Sequence, residues 1–170
     1  MRYRTMQAAA LLSCAVANLP VPARAADCAQ LDAIYTDPSG TYELRFVPLN
    51  SEAAAASGRF HLTVAGLGTA MDGFVMPADD PTSSDGILMF GCPQGDATGA
   101  EISACTVWQG KIHGTTGEGL ASDLQAENGR AISGVVLTGF GKAMRLSRLW
   151  SEGKVSVVPG DVLTFKECAG

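Results

Sequence analysis

The sequence predicts an all-β domain, a small antiparallel barrel of about eight strands in meander order or a β-sandwich, stapled by two disulfides. Three observations predict it. Short segments of alternating apolar and polar residues recur with Gly, Pro, Asn and Asp between them. No apolar pattern of helical period is sustained, and no unit repeats. The cysteines that follow the N-terminal leader are even in number and suit pairing.

The leader comes first. Arg2 and Arg4 precede an apolar run from Ala8 to Ala17, and Ala23-Arg24-Ala25 has the small-x-small form of a signal-peptidase site. The run is about half the length that spans a bilayer, so a signal peptide over 1–25 is expected rather than an anchor. A lipoprotein reading of Leu12-Ser13-Cys14 fits less well, because the apolar run ahead of Cys14 is very short. Cleavage after Ala25 leaves residues 26–170 as one β domain, periplasmic or secreted, with no transmembrane anchor. Such a length can bury about two thirds of its unfolded surface.

Removing Arg2, Arg4 and Arg24 leaves nine Lys+Arg against seventeen Asp+Glu, a net charge of −8. That balance repels phosphate backbones and anionic headgroups, and no Lys/Arg cluster is expected to offset it. Nucleic acid is therefore not an expected partner. Cys14 leaves with the leader, and Cys28, Cys92, Cys105 and Cys168 remain. No two of these are two to four residues apart, as zinc ligands usually are. Disulfides are expected instead, Cys92–Cys105 closing a short loop and Cys28–Cys168 tying the ends.

The elements follow in order. Leu31 to Tyr35 is a short apolar segment closed by a turn at Thr36-Asp37-Pro38-Ser39-Gly40. Tyr42 to Phe46 and Phe60 to Val64 alternate cleanly, and Gly66 and Gly68 end or bend the second. Met71 to Met76 is a further candidate strand, and Pro77 to Gly86 a polar loop. Ile87 to Cys92 and Cys105 to His113 read as two strands stapled at one end, with a turn-rich segment between. Leu120 to Glu127 suits a short helix stopped by Asn128-Gly129. Ile132 to Phe140 is β-branched and apolar. Met144 to Trp150 and Val155 to Val158 read as a hairpin around Ser151-Glu152-Gly153-Lys154. Val162 to Lys166 alternates again. Every connection looks short.

Chemistry-bearing residues are few. His61 and His113 are the two histidines, each in a predicted strand, and the Gly-x-Ser-x-Gly nucleophile elbow is missing. Asp79, Asp80 and Asp85 share a polar loop and are weak calcium candidates, without EF-hand spacing. Gly66-Leu67-Gly68 and Gly139-Phe140-Gly141-Lys142 lack the spacing of dinucleotide and P-loop motifs, so no nucleotide or other cofactor is expected. Trp108, His113 and Trp150 lie near strand ends or turns and are candidate ligand or partner contacts.

A cysteine, a short apolar segment ending in Tyr35, the Ser39-Gly40 turn and an alternating strand together resemble the opening of small calycin-type barrels. Those barrels bind small ligands or proteins at the barrel mouth. Ser39-Gly40-Thr41-Tyr42 also resembles the Ser-Gly-x-x-Tyr loop of membrane-bound and periplasmic lysozyme inhibitors, one residue short, and no functional residue is carried over from it. The expectation is a non-enzymatic module that binds a protein of the envelope. A calycin-like carrier of a small ligand is the alternative, and a hydrolase ranks behind both. Large residues at inward positions (Tyr42, Leu44, Phe46, Phe60, Leu62) favour a filled interior over a ligand cavity.

Overall fold

A computed structural model describes residues 28–49, 55–79, 83–116, 119–121, 124 and 129–169. The expected signal peptide and Asp80 lie outside the described residues. A 3-10 turn, Gln30–Asp32, leads into β1 (Ala33–Thr36), β2 (Tyr42–Val47), β3 (Gly58–Val64), β4 (Met71–Met76) and β5 (Ser84–Met89). Helix α1 (Gly99–Cys105) precedes β6 (Thr106–Thr116) and the short β7 (Gly119–Ala121). Then come β8 (Gly134–Leu137), helices α2 (Phe140–Leu146) and α3 (Arg148–Ser151), and β9 (Val162–Cys168).

Eight of these strands close into a barrel. The ring runs β1-β2-β3-β4-β5-β6-β8-β9 and returns to β1, antiparallel at every step, and among the described residues β7 pairs only with the far end of β6. One closed sheet excludes the sandwich. The closing seam is the β1–β9 ladder, where Ala33 pairs with Cys168. Cys28–Cys168 sits beside it with Cα atoms 6.3 Å apart, and Cys92–Cys105 has its Cα atoms 5.2 Å apart.

Alternation decides which side chains enter the barrel. Tyr42, Leu44 and Phe46 of β2 point inward, while Glu43 and Arg45 point out. On β3 and β4 the buried set is Phe60, Leu62, Val64, Met71 and Val75. Two glycines make room for the largest rings. A Cβ on Gly73 would lie 2.2 Å from the Phe60 ring, and one on Gly86 would lie 2.8 Å from the Trp108 indole. Small residues facing large ones are how a narrow barrel packs solid. Burial of each large apolar side chain stabilises the fold by about 1.5–3 kcal/mol.

Three helices replace predicted turns and strands. The segment between Cys92 and Cys105 carries α1, started by a capping box in which Thr98 and Glu101 satisfy each other's backbone donors. Met144 to Trp150 is helical, not a strand, and 155–158 form no hairpin with it. The reason is a cap from afar. The Asp161 carboxylate accepts from the Gly139 and Gly141 amides at 2.8 and 3.0 Å, fixing the start of α2. Gly153, at φ +68°, ends α3, and the amides of Gly153 and Lys154 donate to the Trp150 and Leu149 carbonyls in the Schellman pattern. The β8–β9 connection is therefore long. Leu120 and Ala121 of the expected helix belong instead to β7, which pairs with the end of β6; most of the rest of that helix lies outside the described residues.

Candidate functional site

Where a barrel of this size binds a small molecule, the open mouth leads to a cavity. Here both ends carry lids. At one end the 138–158 segment folds over the strands. Phe140 meets Tyr42 and Trp108 edge-on, with ring centroids 5.8 and 6.4 Å away, and Met144 and Leu149 are fully buried with it. The Tyr42 hydroxyl donates to the Val157 carbonyl and ties the lid down. At the other end Gln30 is buried, and its Oε1 accepts from the Tyr35 hydroxyl at 2.9 Å and the Ile132 amide at 3.2 Å. Burial pushes the phenols of both tyrosines up to about 12; for Tyr42 the nearby Asp37 charge adds to it.

The turn that resembles the lysozyme-inhibitor loop is built for the fold. Asp37 is buried, and its carboxylate accepts from the amides of Ser39, Thr41 and Tyr42 and from the Ser39 hydroxyl, at 2.6–3.2 Å. Burial alone would raise its pKa, but these donors outweigh burial and hold the carboxyl below its ordinary 3.8. Tyr42 is fully buried, and the Ser39 hydroxyl is already engaged. Tyr42 therefore presents no surface to a partner, and Ser39, although exposed, donates its hydroxyl hydrogen bond to Asp37.

The outer wall holds most of the remaining polar chemistry. Asp72 Oδ1 lies 2.6 Å from Arg59 Nη2 and 3.3 Å from His61 Nε2, and Arg59 also lies over the Phe74 ring, 5.8 Å from its centroid. A cleft of ≈ 360 Å³ runs from Arg59, Asp72 and Phe74 to Met89, Cys92 and Pro93. A second depression holds His61 with Arg45, Glu43 and Thr63. His113 is half-buried on β6 opposite Val136. Three strand spacings separate β6 from β3, about 14 Å around the wall, so the histidines do not meet.

The other predicted site residues are scattered. Trp108 is 2% exposed, and its Nε1 donates to the Thr138 carbonyl at 3.0 Å. Trp150 is half-buried on α3, packed against the core. Asp79 is exposed, and Asp85 pairs with Lys111 at 2.8 Å. Among the described residues no three His, Cys, Asp or Glu side chains gather as metal ligands would, and no helix is long and apolar enough to cross a membrane.

Sequence reading missed the lid's outer face. Lys142, Arg145, Arg148 and Lys154, four of the nine cations after Ala25, lie within one short segment. All four are exposed, and α2 sets Lys142, Arg145 and Leu146 at i, i+3 and i+4 on one face. Lys154 pairs with Glu152 at 2.7 Å, and Arg148 Nη2 donates to the Phe90 carbonyl at 2.6 Å. Among the described residues no carboxylate pairs with Lys142 or Arg145. Leu146, beside them, is 77% exposed. Compared with models of protein families, with curated proteins and with solved structures, the chain matches none.

Proposed function

We propose that this chain is an exported, non-enzymatic interaction module, working in the periplasm or outside the cell, that engages a protein partner through its outer surface. The observation that carries this reading is the filling of the barrel. Tyr35, Tyr42, Phe46, Phe60, Trp108 and Phe140 occupy its interior, and both ends are lidded. A carrier of a small ligand would have to displace those rings, at a cost of several kcal/mol in lost packing. A hydrolase using His61 would need the Asp72 oxygen that Arg59 already holds. Two disulfides support an oxidising compartment.

Chemical cross-linking in intact cells, read by mass spectrometry, tests the proposal. Lys111, Lys142, Lys154 and Lys166 all lie on the outer surface and are reachable by amine-reactive reagents. The expected result is reproducible cross-links from some of these lysines to one partner protein. Cross-links confined to the chain itself, at native abundance, would overturn it.

A further inference from the structure

We propose that the α2–α3 lid is the docking face, and that it receives an acidic segment of the partner carrying at least one apolar side chain. The inference rests on the protein-binding function proposed above and names the chemistry of that partner. Charge is the first argument. The chain is acidic as a whole, yet its lid carries four cations against the single carboxylate of Glu152. Two of those cations, Lys142 and Arg145, have no carboxylate partner among the described residues. Unpaired cations on an acidic protein attract an anionic partner to that spot and repel it elsewhere.

The apolar side chain is the second argument. Among the described residues Leu146 is far more exposed than the other large apolar side chains outside the core, of which the next is Val162 at 43%. It shares the helix face with Lys142 and Arg145, one turn on from Lys142, so an acidic segment with an apolar side chain beside its carboxylates would meet all three together. The face is also preorganised. Phe140, Met144 and Leu149 anchor it from beneath, and Asp161 fixes its start, so little conformational freedom is lost on binding.

A lipid surface fits less well. An interfacial helix needs a continuous apolar face, and α2 offers one exposed apolar side chain over seven residues. The net negative charge would further oppose an anionic bilayer.

The test uses the mature protein, ¹⁵N-labelled, and a synthetic peptide of alternating Glu and Leu as probe. The expected result is amide shift changes confined to 140–154 that weaken as salt is added. The double variant Lys142→Glu/Arg145→Glu should bind about tenfold more weakly, as two exposed attractive pairs become repulsive. Leu146→Asn should also weaken binding, and Lys166→Ala, on the barrel wall, should leave it unchanged. All these positions are exposed, so the variants should keep the wild-type spectrum elsewhere. Shifts that map to another face, or a double variant that binds like wild type, would overturn the proposal. So would binding to phosphatidylglycerol vesicles without peptide binding, or a low-salt dimer lost in the double variant, which would make the occupant a membrane or a second copy. If the peptide fails while cross-links to a partner leave from Lys111 or Lys166, only the docking face is wrong. If no partner is cross-linked at all, the protein-binding function falls with it.

Discussion

At the scale of single residues, Asp37 and Gly73 show how much of the fold rests on one group each. The Asp37 carboxylate is the acceptor for four donors of the β1–β2 turn. Asp37→Ala leaves those donors without it, and should lower unfolding stability by about 2–3 kcal/mol in urea melts. Because the folded pKa lies below 3.8, the contribution of Asp37 is present above that pH and disappears as pH falls through the folded value. Acid should therefore narrow the gap between wild type and variant, and a gap that stays constant with pH would contradict the role given to the carboxylate. Gly73→Ala tests the filled interior directly. Its methyl would stand 2.2 Å from the Phe60 ring, so overpacking should cost about 1–3 kcal/mol in the same melts. An unchanged midpoint would mean the ring has empty space to move into.

At the scale of elements, strands were easier to read than helices. β2 and β3 alternate apolar and polar residues, and a period of two is a local signal, while β4 was legible as a short apolar run. Helix α1 had a local signal as well, the Thr98-x-x-Glu101 capping box, but it stood in a segment of turn composition. Helix α2 is different. Its cap comes from Asp161, twenty residues downstream, and its inward face is only Phe140 and Met144, too short to show a helical period. Reading Met144 to Trp150 as a strand also put Arg145 and Leu146 on opposite faces and left Lys142 outside the element, which hid the cationic lid. Asp161→Ala should free the start of α2 while leaving the barrel closed. Hydrogen exchange of the 140–151 amides should then speed up by about tenfold or more, as a charged acceptor worth about 1.5–3 kcal/mol is lost, with β2–β4 amides unaffected. Uniform acceleration across the barrel would show that the lid and barrel open as one unit.

At the scale of the whole molecule, the two disulfides do different work. Cys28–Cys168 closes a loop across 140 residues of separation, and Cys92–Cys105 one across 13. Loop entropy assigns about 5 kcal/mol to the first and about 3 to the second. Replacing the first pair by serine should therefore lower the melting temperature more than replacing the second; the reverse order would mean that closure of the β1–β9 seam does not depend on the bond. These pairings were legible in the sequence because four cysteines after a leader permit few arrangements, and closure of a meander brings its ends together. Barrel against sandwich was not legible. It turns on β5 meeting β6 and β1 meeting β9, contacts that no local pattern encodes.

The central claim is that the barrel is filled by its own side chains and acts from its surface. Native mass spectrometry of the protein purified from the cells that make it tests this most directly. The account predicts the mass of the chain cleaved after Ala25, less four hydrogens for two disulfides, with no small molecule attached. An additional small mass that is lost on denaturation would contradict it and return the barrel interior to the role of a binding site.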